Sequence, residues 1–507
     1  MSWRRRDVVV GGAAMLAYLG GARIEAAPKF SDNPFKLGVA SGEPTPDGAV
    51  LWTRLAPEPF DEMSGMTPAP VEVEWQVASD EAMSKVVAKG KSIADPAMGH
   101  SVHVEVAGLK PHRHYWYRFR AGGALSPVGR TRTLPAVGAS ADAARFGVVS
   151  CQKYEAGFYT GFRHLADEDI DLVIHLGDYI YEKKGKFNGV RTHHGGTCYT
   201  VEQYRKRYAQ YKMDEDLQAA HAAHPWAVAF DDHELANDYA GGDEGNGDPT
   251  DPMTDRRMAA YQAYYENMPL RRASVPNGVH MQLYRRLKFG NLLSVNMLDT
   301  RQNRTEQPCY GGKKAERCDE VFDPKATILG EKQERWLYGS LSGARTRWNA
   351  MAQQVIVAPR QLVENGYSMD KWDGYDHSRR RLIEALVERK VTNPVILSGD
   401  NHRHHAADLH AKPEDQDSPT VATEFIGGSI ASRGDGFAMT NYGRRVLELN
   451  PHFKYFCDQR GYLRCTVTPS EWRTDYRIMD YVERRGAPIE TRVSFLAEHG
   501  QAGAIKV

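Results

Sequence analysis

The chain has 507 residues, of which 65 are Lys or Arg and 65 are Asp or Glu, so its formal net charge is zero. This length exceeds what one small core accommodates and indicates two or three domains. The balanced charge gives no reason to expect a nucleic-acid-binding patch or bulk attraction to a membrane surface, so any attraction for a charged substrate must be local.

Residues 1–27 have the features of a twin-arginine signal peptide. Arg4, Arg5 and Arg6 precede an apolar stretch that ends near Ala22, and Ala26 with Ala27 supplies small residues for cleavage. The apolar run is shorter than the ~20 residues that a bilayer span needs, which disfavours a membrane anchor. We therefore expect the twin-arginine export machinery as a partner, a periplasmic or secreted location, and no transmembrane span in the mature chain.

Residues 28–138 alternate apolar and polar side chains in the manner of half-buried strands. Val71–Val77 and Tyr115–Arg120 are the clearest examples, and turn signals such as Pro46-Asp47-Gly48 separate the strands. This pattern predicts a small all-β domain, an immunoglobulin- or fibronectin-like β-sandwich. A small, polar segment at 135–144 then predicts a linker.

From residue 145 onward, strand and helix patterns alternate, which favours a layered α/β catalytic domain over 145–490, followed by a C-terminal tail at 491–507. The expected strands are Phe146–Val149, Leu172–Ile174, Trp226–Phe230, Asn291–Leu298, Val355–Ala358 and Val395–Leu397. The expected helices are Tyr159–Asp167, Val201–Lys212, Glu331–Leu341 and Ser378–Arg389.

A first polar cluster, Gly177-Asp178-Tyr179-Ile180-Tyr181, follows one of these strands. Chemistry in open α/β sheets lies beyond the carboxyl ends of the strands. The carboxylate of Asp178 and the phenolate of Tyr181 would both be hard anionic ligands, and phenolate suits ferric iron. The alternative is an aspartate that caps a turn and a tyrosine that packs in the core.

A second cluster, Asp231-Asp232-His233-Glu234, follows another apolar strand and precedes Asn237. Four ionisable residues in a row at a strand end are unfavourable without a compensating ion, because like charges repel and buried charge is costly. A solvated helix N-terminus is the alternative, since acidic residues suit that position. His233 could instead donate a hydrogen bond to a substrate oxygen.

A third cluster, Gly399-Asp400-Asn401-His402, places Asp400 and His402 on the same side of an extended segment. Cys151 ends the first strand of the same domain, where a thiolate would favour iron or zinc over magnesium or calcium. We interpret His404 and His405 as surface or supporting residues.

The six cysteines include two pairs that are close in sequence, Cys309 with Cys318 and Cys457 with Cys465. Outside the cytoplasm each pair could form a disulfide, although sequence does not fix connectivity. The simplest scheme leaves Cys151 and Cys198 unpaired.

Taken in order, these motifs resemble the PhoD-like alkaline phosphatases of the metallophosphatase superfamily. The resemblance runs from about residue 34 to 470. Asn401 and the residues after it depart from typical members, so substrate selection is expected to differ. The motifs that carry the resemblance are Ser150-Cys151-Gln152, Gly177 to Glu182, Trp226 through Glu234 with Asn237, and Ser398 to His402, with support from Gly42-Glu43-Pro44, Val50 to Arg54, Leu298 to Arg301, Ala352 to Val355 and Trp372 to Tyr375.

The resemblance implies a layered metallophosphatase-type catalytic domain, a β-sandwich core flanked by helices, after the small all-β domain. It also implies a site that combines ferric iron (Fe3+) with calcium (Ca2+). The iron-side ligands would be Cys151, Asp178, Tyr181, Asp400 and His402. Asp178 would bridge to calcium, with Asp232 and Asn237 nearby, and His233 would stabilise the transition state or protonate the leaving oxygen.

The implied activity is metal-dependent hydrolysis of small-molecule or polymeric phosphate esters, both monoesters and diesters, by a metal-activated water. One alternative is a phosphodiesterase specialised on phospholipid or wall polymer, of the phospholipase D type. A remote alternative is a secreted binding protein with an inactive phosphatase-like domain, which we disfavour because every expected ligand residue is present.

Overall fold

The computed structural model describes residues 29–185, 189–241, 252–312, 314–343 and 345–507. The predicted signal peptide lies outside these residues, so the export prediction stays a prediction. Within the described ranges, no helix is both long and apolar enough to cross a membrane.

The described strands, numbered in chain order, are β1 Val39–Thr45, β2 Gly48–Arg54, β3 Val71–Ala78, β4 Val86–Ala94, β5 Ser101–Val106, β6 His114–Ala121, β7 Ala124–Leu125, β8 Gly129–Arg132, β9 Ala144–Val149, β10 Leu172–His175, β11 Pro225–Val228, β12 Arg285–Phe289, β13 Leu293–Met297, β14 Trp348–Ala352, β15 Pro394–Ser398, β16 His404–His410, β17 Thr420–Ile426, β18 Phe453–Cys457, β19 Arg460–Val467, β20 Glu471–Met479, β21 Ile489–Glu498 and β22 Gln501–Lys506. The α-helices are α1 Thr160–Ala166, α2 Val201–Lys212, α3 Glu215–Ala223, α4 Pro252–Asn267, α5 Glu331–Ser342, α6 Asp376–Glu388 and α7 Asn441–Leu449.

These strands form three sheets. A ten-stranded sheet has the order β22-β21-β20-β19-β9-β10-β11-β1-β2-β5, and a seven-stranded sheet has the order β12-β13-β14-β15-β17-β16-β18. The third sheet contains β4, β3, β6 and β7 in that order, with β8 also paired to β6.

The two larger sheets enclose one apolar core. Val148 and Ile174 of the ten-stranded sheet belong to the same buried cluster as Val295, Ala350 and Val395 of the seven-stranded sheet. Side chains of α1 to α4 cover the outer face of the first sheet, and side chains of α5 and α6 cover the outer face of the second. This is the predicted layered arrangement of a β-sandwich flanked by helices.

The N-terminal region is all-β, as predicted, but its strands divide between two sheets. β1 pairs in parallel with β11, and β2 and β5 continue that sheet outward. β3, β4, β6, β7 and β8 form the separate small sheet. The N-terminal strands therefore extend the sheet that carries two of the polar clusters.

The chain end, expected to be a tail at 491–507, lies in β21 and β22 at one edge of the ten-stranded sheet. Phe495 and Ala497 alternate inward along β21, and Ala504 of β22 is also buried in the core between the sheets. Period-two burial of this kind is typical of a strand with one face on a core.

The parallel pairing brings the polar clusters together. β9, β10 and β11 run parallel, and so do β13, β14, β15 and β17. Cys151, Asp178 and Asp231 follow β9, β10 and β11, and Asp400 follows β15. Because the carboxyl ends of parallel strands share one edge of a sheet, the clusters converge there.

The strand predicted at Val355–Ala358 is wrong, since β14 ends at Ala352. The segment is buried but irregular, and the N–H groups of Val357 and Ala358 donate to the carboxylate of Glu424 at 2.9 and 2.8 Å. A buried carboxylate thus replaces the ladder partners that a strand would have used.

Of the two expected disulfides, Cys309–Cys318 is confirmed. The pairing of Cys457 with Cys465 is wrong, because both cysteines are free and buried. Cys457 ends β18 of the seven-stranded sheet, whereas Cys465 lies in β19 of the ten-stranded sheet. The two cysteines are close in sequence, but their strands do not form a hairpin. Both act as small core side chains.

Alkylation under denaturing but non-reducing conditions should therefore modify four cysteines, namely Cys151, Cys198, Cys457 and Cys465. Intact-mass spectrometry counts the added groups, and prior reduction should raise the count to six. A non-reduced count of two would show that a second disulfide forms.

Candidate metal centre

Four candidate ligands occupy strained turns directly after strands. Cys151, Asp178, Asp400 and His402 have φ values of 60°, 56°, 56° and 58°. Residues other than glycine rarely adopt this left-handed conformation, and it concentrates at functional sites. These turns place the four side chains beyond the carboxyl ends of the strands that precede them.

Gly177 and Glu234 fix the relation between the first two clusters. Gly177 has φ 105°, and a Cβ at this position would collide with Asp231. The buried carboxylate of Glu234 accepts hydrogen bonds from the backbone N–H groups of Asp178, Tyr179 and Asp231 at 3.1, 2.5 and 2.8 Å. Both loops are therefore held by one acidic side chain.

The first ligand group contains Cys151, Asp178, Tyr181 and His402. Ligand atoms of Cys151, Asp178 and His402 lie within 4.8 Å of one another. The Tyr181 hydroxyl lies 2.7 Å from Asp178 Oδ2, 3.0 Å from His402 Nε2 and 2.9 Å from Ser432 Oγ. Sulfur, carboxylate, phenol and imidazole thus surround one point.

The environment favours the neutral forms of this group when only protein atoms are considered. Burial raises the pKa of the Cys151 thiol and the Tyr181 phenol well above their usual values, and Asp178 adds to both effects. Burial, with the charges of Arg433 and Arg460, lowers the pKa of His402. A neutral imidazole is the form that binds a metal, and a nearby cation would favour the thiolate and phenolate.

The second ligand group contains Asp231, Asp232 and Asp400, whose carboxylate oxygens also lie within 4.8 Å of one another. Asp400, expected among the iron-side ligands, lies beside Asp231 and Asp232 in this group. A third set, Asp178 with Asp232 and His233, meets the same distance limit. Asp178 therefore belongs to both ends of the site.

Two basic side chains partly neutralise the second group. Arg301 is fully buried, with Nε 2.6 Å from Asp231 Oδ1 and Nη2 3.8 Å from Asp232 Oδ1 and 3.6 Å from Asp400 Oδ1. Lys371 contacts Asp400. Arg301 and Lys371 also pair with Asp370, at 2.5 and 2.6 Å.

The balance of burial and charge differs among these carboxyls. Burial raises the pKa of Asp231 well above its usual range, although Arg301 opposes this effect. Burial also raises the pKa of Asp400 against the pull of Lys371. At Asp232 burial acts in the same direction, but Arg301 and His233 outweigh it and lower the pKa.

His233 lies between the two ligand groups and is held by Glu182. Its Nδ1 is 2.8 Å from Glu182 Oε2, and its ring centroid is 4.2 Å from that of Tyr181. Burial opposes protonation, but Asp232, Asp178 and Glu182 together raise the pKa of His233 to about 10. When only protein atoms are considered, the neighbouring carboxylates therefore favour the protonated form of His233.

Asn237 is half-buried, and its backbone N–H donates to Glu182 Oε1 at 3.2 Å. His404 and His405 are fully buried, which excludes a surface role. Gly428 N–H donates to His404 Nδ1 at 2.9 Å, and His405 Nδ1 lies 3.1 Å from the Tyr455 carbonyl oxygen.

Sequence reasoning missed Asp231 as an individual ligand, together with Glu182, Arg301, Asp370 and Lys371. Asp231 and Glu182 lay inside or beside recognised clusters, and Arg301 ended a supporting string. Asp370 and Lys371 directly precede Trp372 but follow no strand. Their placement depends on contacts between distant parts of the chain.

The donor chemistry fits two cations of different character. Two buried atoms, Asp231 Oδ2 and His402 Nδ1, lack a hydrogen-bond partner among the described residues. The Cys151 group offers soft and hard donors that suit iron, whereas the Asp231 group offers only oxygens, as calcium prefers. These residues could therefore hold the implied ions.

Family models match both parts of the chain, the PhoD-like phosphatase over residues 146–476 and its N-terminal domain over 21–135. The chain belongs to the PhoD-like phosphatase family. Alkaline phosphatase D of Bacillus subtilis (strain 168) is 47% identical over 504 residues, which cover 98% of this chain and 86% of that protein. A solved structure of PhoD, 48% identical, has a TM-score of 0.91 and covers 95% of this chain and 93% of its own.

Family membership confirms the resemblance found in the sequence. It also confirms the predicted fold class, an α/β layered protein that begins with an all-β region. The PhoD-like phosphatases are phosphoric ester hydrolases. Membership of this family therefore confirms the predicted enzyme class.

Replacing Arg301 by Met should destabilise the protein by about 3–5 kcal/mol, because it leaves Asp231 buried without its ion-pair partner and removes one of the cations that pair with Asp370. Thermal unfolding followed by circular dichroism measures this loss. The matched control is Arg335→Met, which removes an exposed i,i+4 ion pair and should change stability by less than about 0.5 kcal/mol. Equal melting temperatures for the two variants would contradict the role given to Arg301.

Proposed function

We propose that this chain is an exported, metal-dependent phosphoric ester hydrolase that acts on monoesters and diesters of phosphate. One observation carries the proposal. Asp178 lies within ligand distance of both Cys151 with His402 and Asp232 with His233. A carboxylate shared between two unlike donor groups would let two cations lie close together, as they do in two-metal phosphoryl-transfer sites.

Cys151, Asp178, Tyr181 and His402 would hold ferric iron, and Asp231, Asp232 and Asp400 would hold calcium with Asp178 between them. Asn237 stays in the proposed set because it lies beside Glu182 at the same end of the site. When bound, the cations would supply positive charge for the phosphoryl oxygens and lower the pKa of a water nucleophile. The thiol and phenol make iron the better match for the first position.

His233 would donate a proton to the leaving oxygen. Its Nδ1 is occupied by the contact with Glu182, and the structure records no hydrogen-bond partner for Nε2 among the described residues. The side chain keeps 16% of its surface exposed, so Nε2 can meet a substrate. The side chain of Glu182 is 0% exposed, and its carboxylate fixes the orientation of the His233 ring.

Lys371 would help to bind the phosphoryl group at the end of the site that contains Asp400. Its side chain is 11% exposed and contacts Asp400, whereas Arg301 is fully enclosed. Arg301 would therefore hold the carboxylates in place, and Lys371 would share in binding the negative charge of the phosphoryl group.

The His233→Ala variant should keep the metal content of the wild type but lose about 10²–10⁴-fold in kcat with an alkyl phosphate such as glycerol 3-phosphate, because the alkoxide leaving group needs the proton that His233 would donate. His280→Ala, at an exposed position outside the site, is the matched control and should keep wild-type turnover. If His233→Ala turns over at the wild-type rate, His233 has no part in the reaction.

Elemental analysis of the purified enzyme should find iron and calcium. Cys151→Ser should lose most of the iron and retain calcium, whereas Asp232→Asn should lose calcium first. Rates with p-nitrophenyl phosphate and bis-p-nitrophenyl phosphate, measured on the same samples, distinguish monoesterase from diesterase activity. Protein without iron that stays inactive after both metals are restored would contradict the proposal.

A further inference from the structure

Four arginines, here called the arginine cluster (Arg360, Arg403, Arg433 and Arg460), surround the His402 side of the site. Arg403 follows His402 in the chain, and Arg360 Nη1 donates to Asn401 Oδ1 at 2.5 Å. Arg460 Nη1 donates to Ser429 Oγ at 2.6 Å, and Arg433 follows Ser432, whose hydroxyl contacts Tyr181. The cluster is therefore adjacent to the candidate ligands.

The charge of this cluster is poorly balanced within the described residues. Its ion pairs involve a single acid, Asp458, which lies 3.2 Å from Arg403 Nε and 3.4 Å from Arg460 Nη2. Arg360 has no ion pair in the described part of the chain, and Arg433 has neither an ion pair nor a hydrogen bond there. In a chain with zero net charge, four guanidinium groups with one paired carboxylate are a local excess of positive charge.

The like charges act on one another. Burial lowers the pKa of Arg460 to about 10, with Arg433 and Arg403 acting in the same direction. An anion placed among these side chains would relieve the repulsion.

Two buried donors beside the cluster also lack an acceptor. Arg360 is 4% exposed and Asn401 is 8% exposed, yet Arg360 Nε and Asn401 Nδ2 have no hydrogen-bond partner among the described residues. Buried donors are nearly always paired in folded proteins. These two atoms show that hydrogen bonding beside the cluster is incomplete within the described residues.

The backbone holds Arg433 in place at some cost. Its φ is 74°, in the left-handed region that arginine rarely adopts. Asp435 Oδ1 accepts the N–H groups of Val482 and Glu483 at 2.7 and 2.9 Å, which anchors the loop just after Arg433. The side chain is exposed, so an anchored and strained loop presents a guanidinium directly after Ser432, whose hydroxyl contacts Tyr181.

We propose that the accessible members of the arginine cluster, Arg403 and Arg433, bind a second phosphate group of the substrate, separate from the phosphate that is hydrolysed. The proposal rests on the proposed function. Guanidinium groups match phosphate oxygens in geometry and charge, and their hydrogen bonds to phosphate are stronger than neutral ones. The preferred substrates would therefore be small molecules that carry two phosphates.

Phosphate release from fructose 1,6-bisphosphate and fructose 6-phosphate tests this specificity. The wild-type enzyme should show a kcat/KM at least tenfold higher for the bisphosphate, expressed mainly in KM. In Arg433→Gln and in Arg403→Gln the ratio of the two kcat/KM values should fall about tenfold. Arg433 is exposed, so its variant is expected to fold.

Arg120→Gln is the matched control, because Arg120 is an exposed arginine on β6 of the small sheet, and it should keep the wild-type ratio. A wild-type ratio near one, or a ratio that Arg433→Gln and Arg403→Gln leave unchanged, overturns the second-phosphate site while the phosphatase assignment stands. If the metal-loaded wild type releases phosphate from neither sugar phosphate nor from p-nitrophenyl phosphate, the proposed function itself fails, and this inference fails with it.

Discussion

The site depends on the burial of several carboxylates around one guanidinium. Arg301 follows β13 of the seven-stranded sheet, and it reaches Asp231 after β11 of the ten-stranded sheet at 2.6 Å and Asp370 at 2.5 Å. Charges buried this deeply are tolerated only when paired. The same ion pairs therefore join the two sheets and bring the acidic clusters to one place, so the architecture and the candidate metal centre cannot be changed independently.

The charges around this centre are unevenly distributed. Asp231, Asp232 and Asp400 gather at the Arg301 end, whereas the arginine cluster lies at the His402 end. Asp178 and Tyr181 stand between the two ends, 2.7 Å apart. A site of this kind can attract cations and an anionic substrate together, although the whole chain carries no net charge. The local distribution, not the overall charge, decides what binds.

The sequence predicted those parts of the site that follow apolar strands, because a buried parallel strand and the polar turn after it are both local signals. Arg301, Asp370 and Lys371 meet only through tertiary contacts, and no spacing reveals that. Local signals also misled in two places. The apolar run Val355–Ala358 satisfies its N–H groups with Glu424 instead of a neighbouring strand, and Cys457 and Cys465 are close in sequence but lie in different sheets.

The left-handed conformations of Cys151, Asp178, Asp400 and His402 show how stability and function are set against each other here. Glycine would relieve the strain at each of these four positions, yet all four carry side chains that could serve as ligands in the proposed metal centre. Gly177, directly before Asp178, is glycine because Asp231 leaves no room for a Cβ. Neighbouring positions thus follow opposite rules: backbone conformation and packing select Gly177, whereas the proposed ligand role would account for a strained side chain at Asp178.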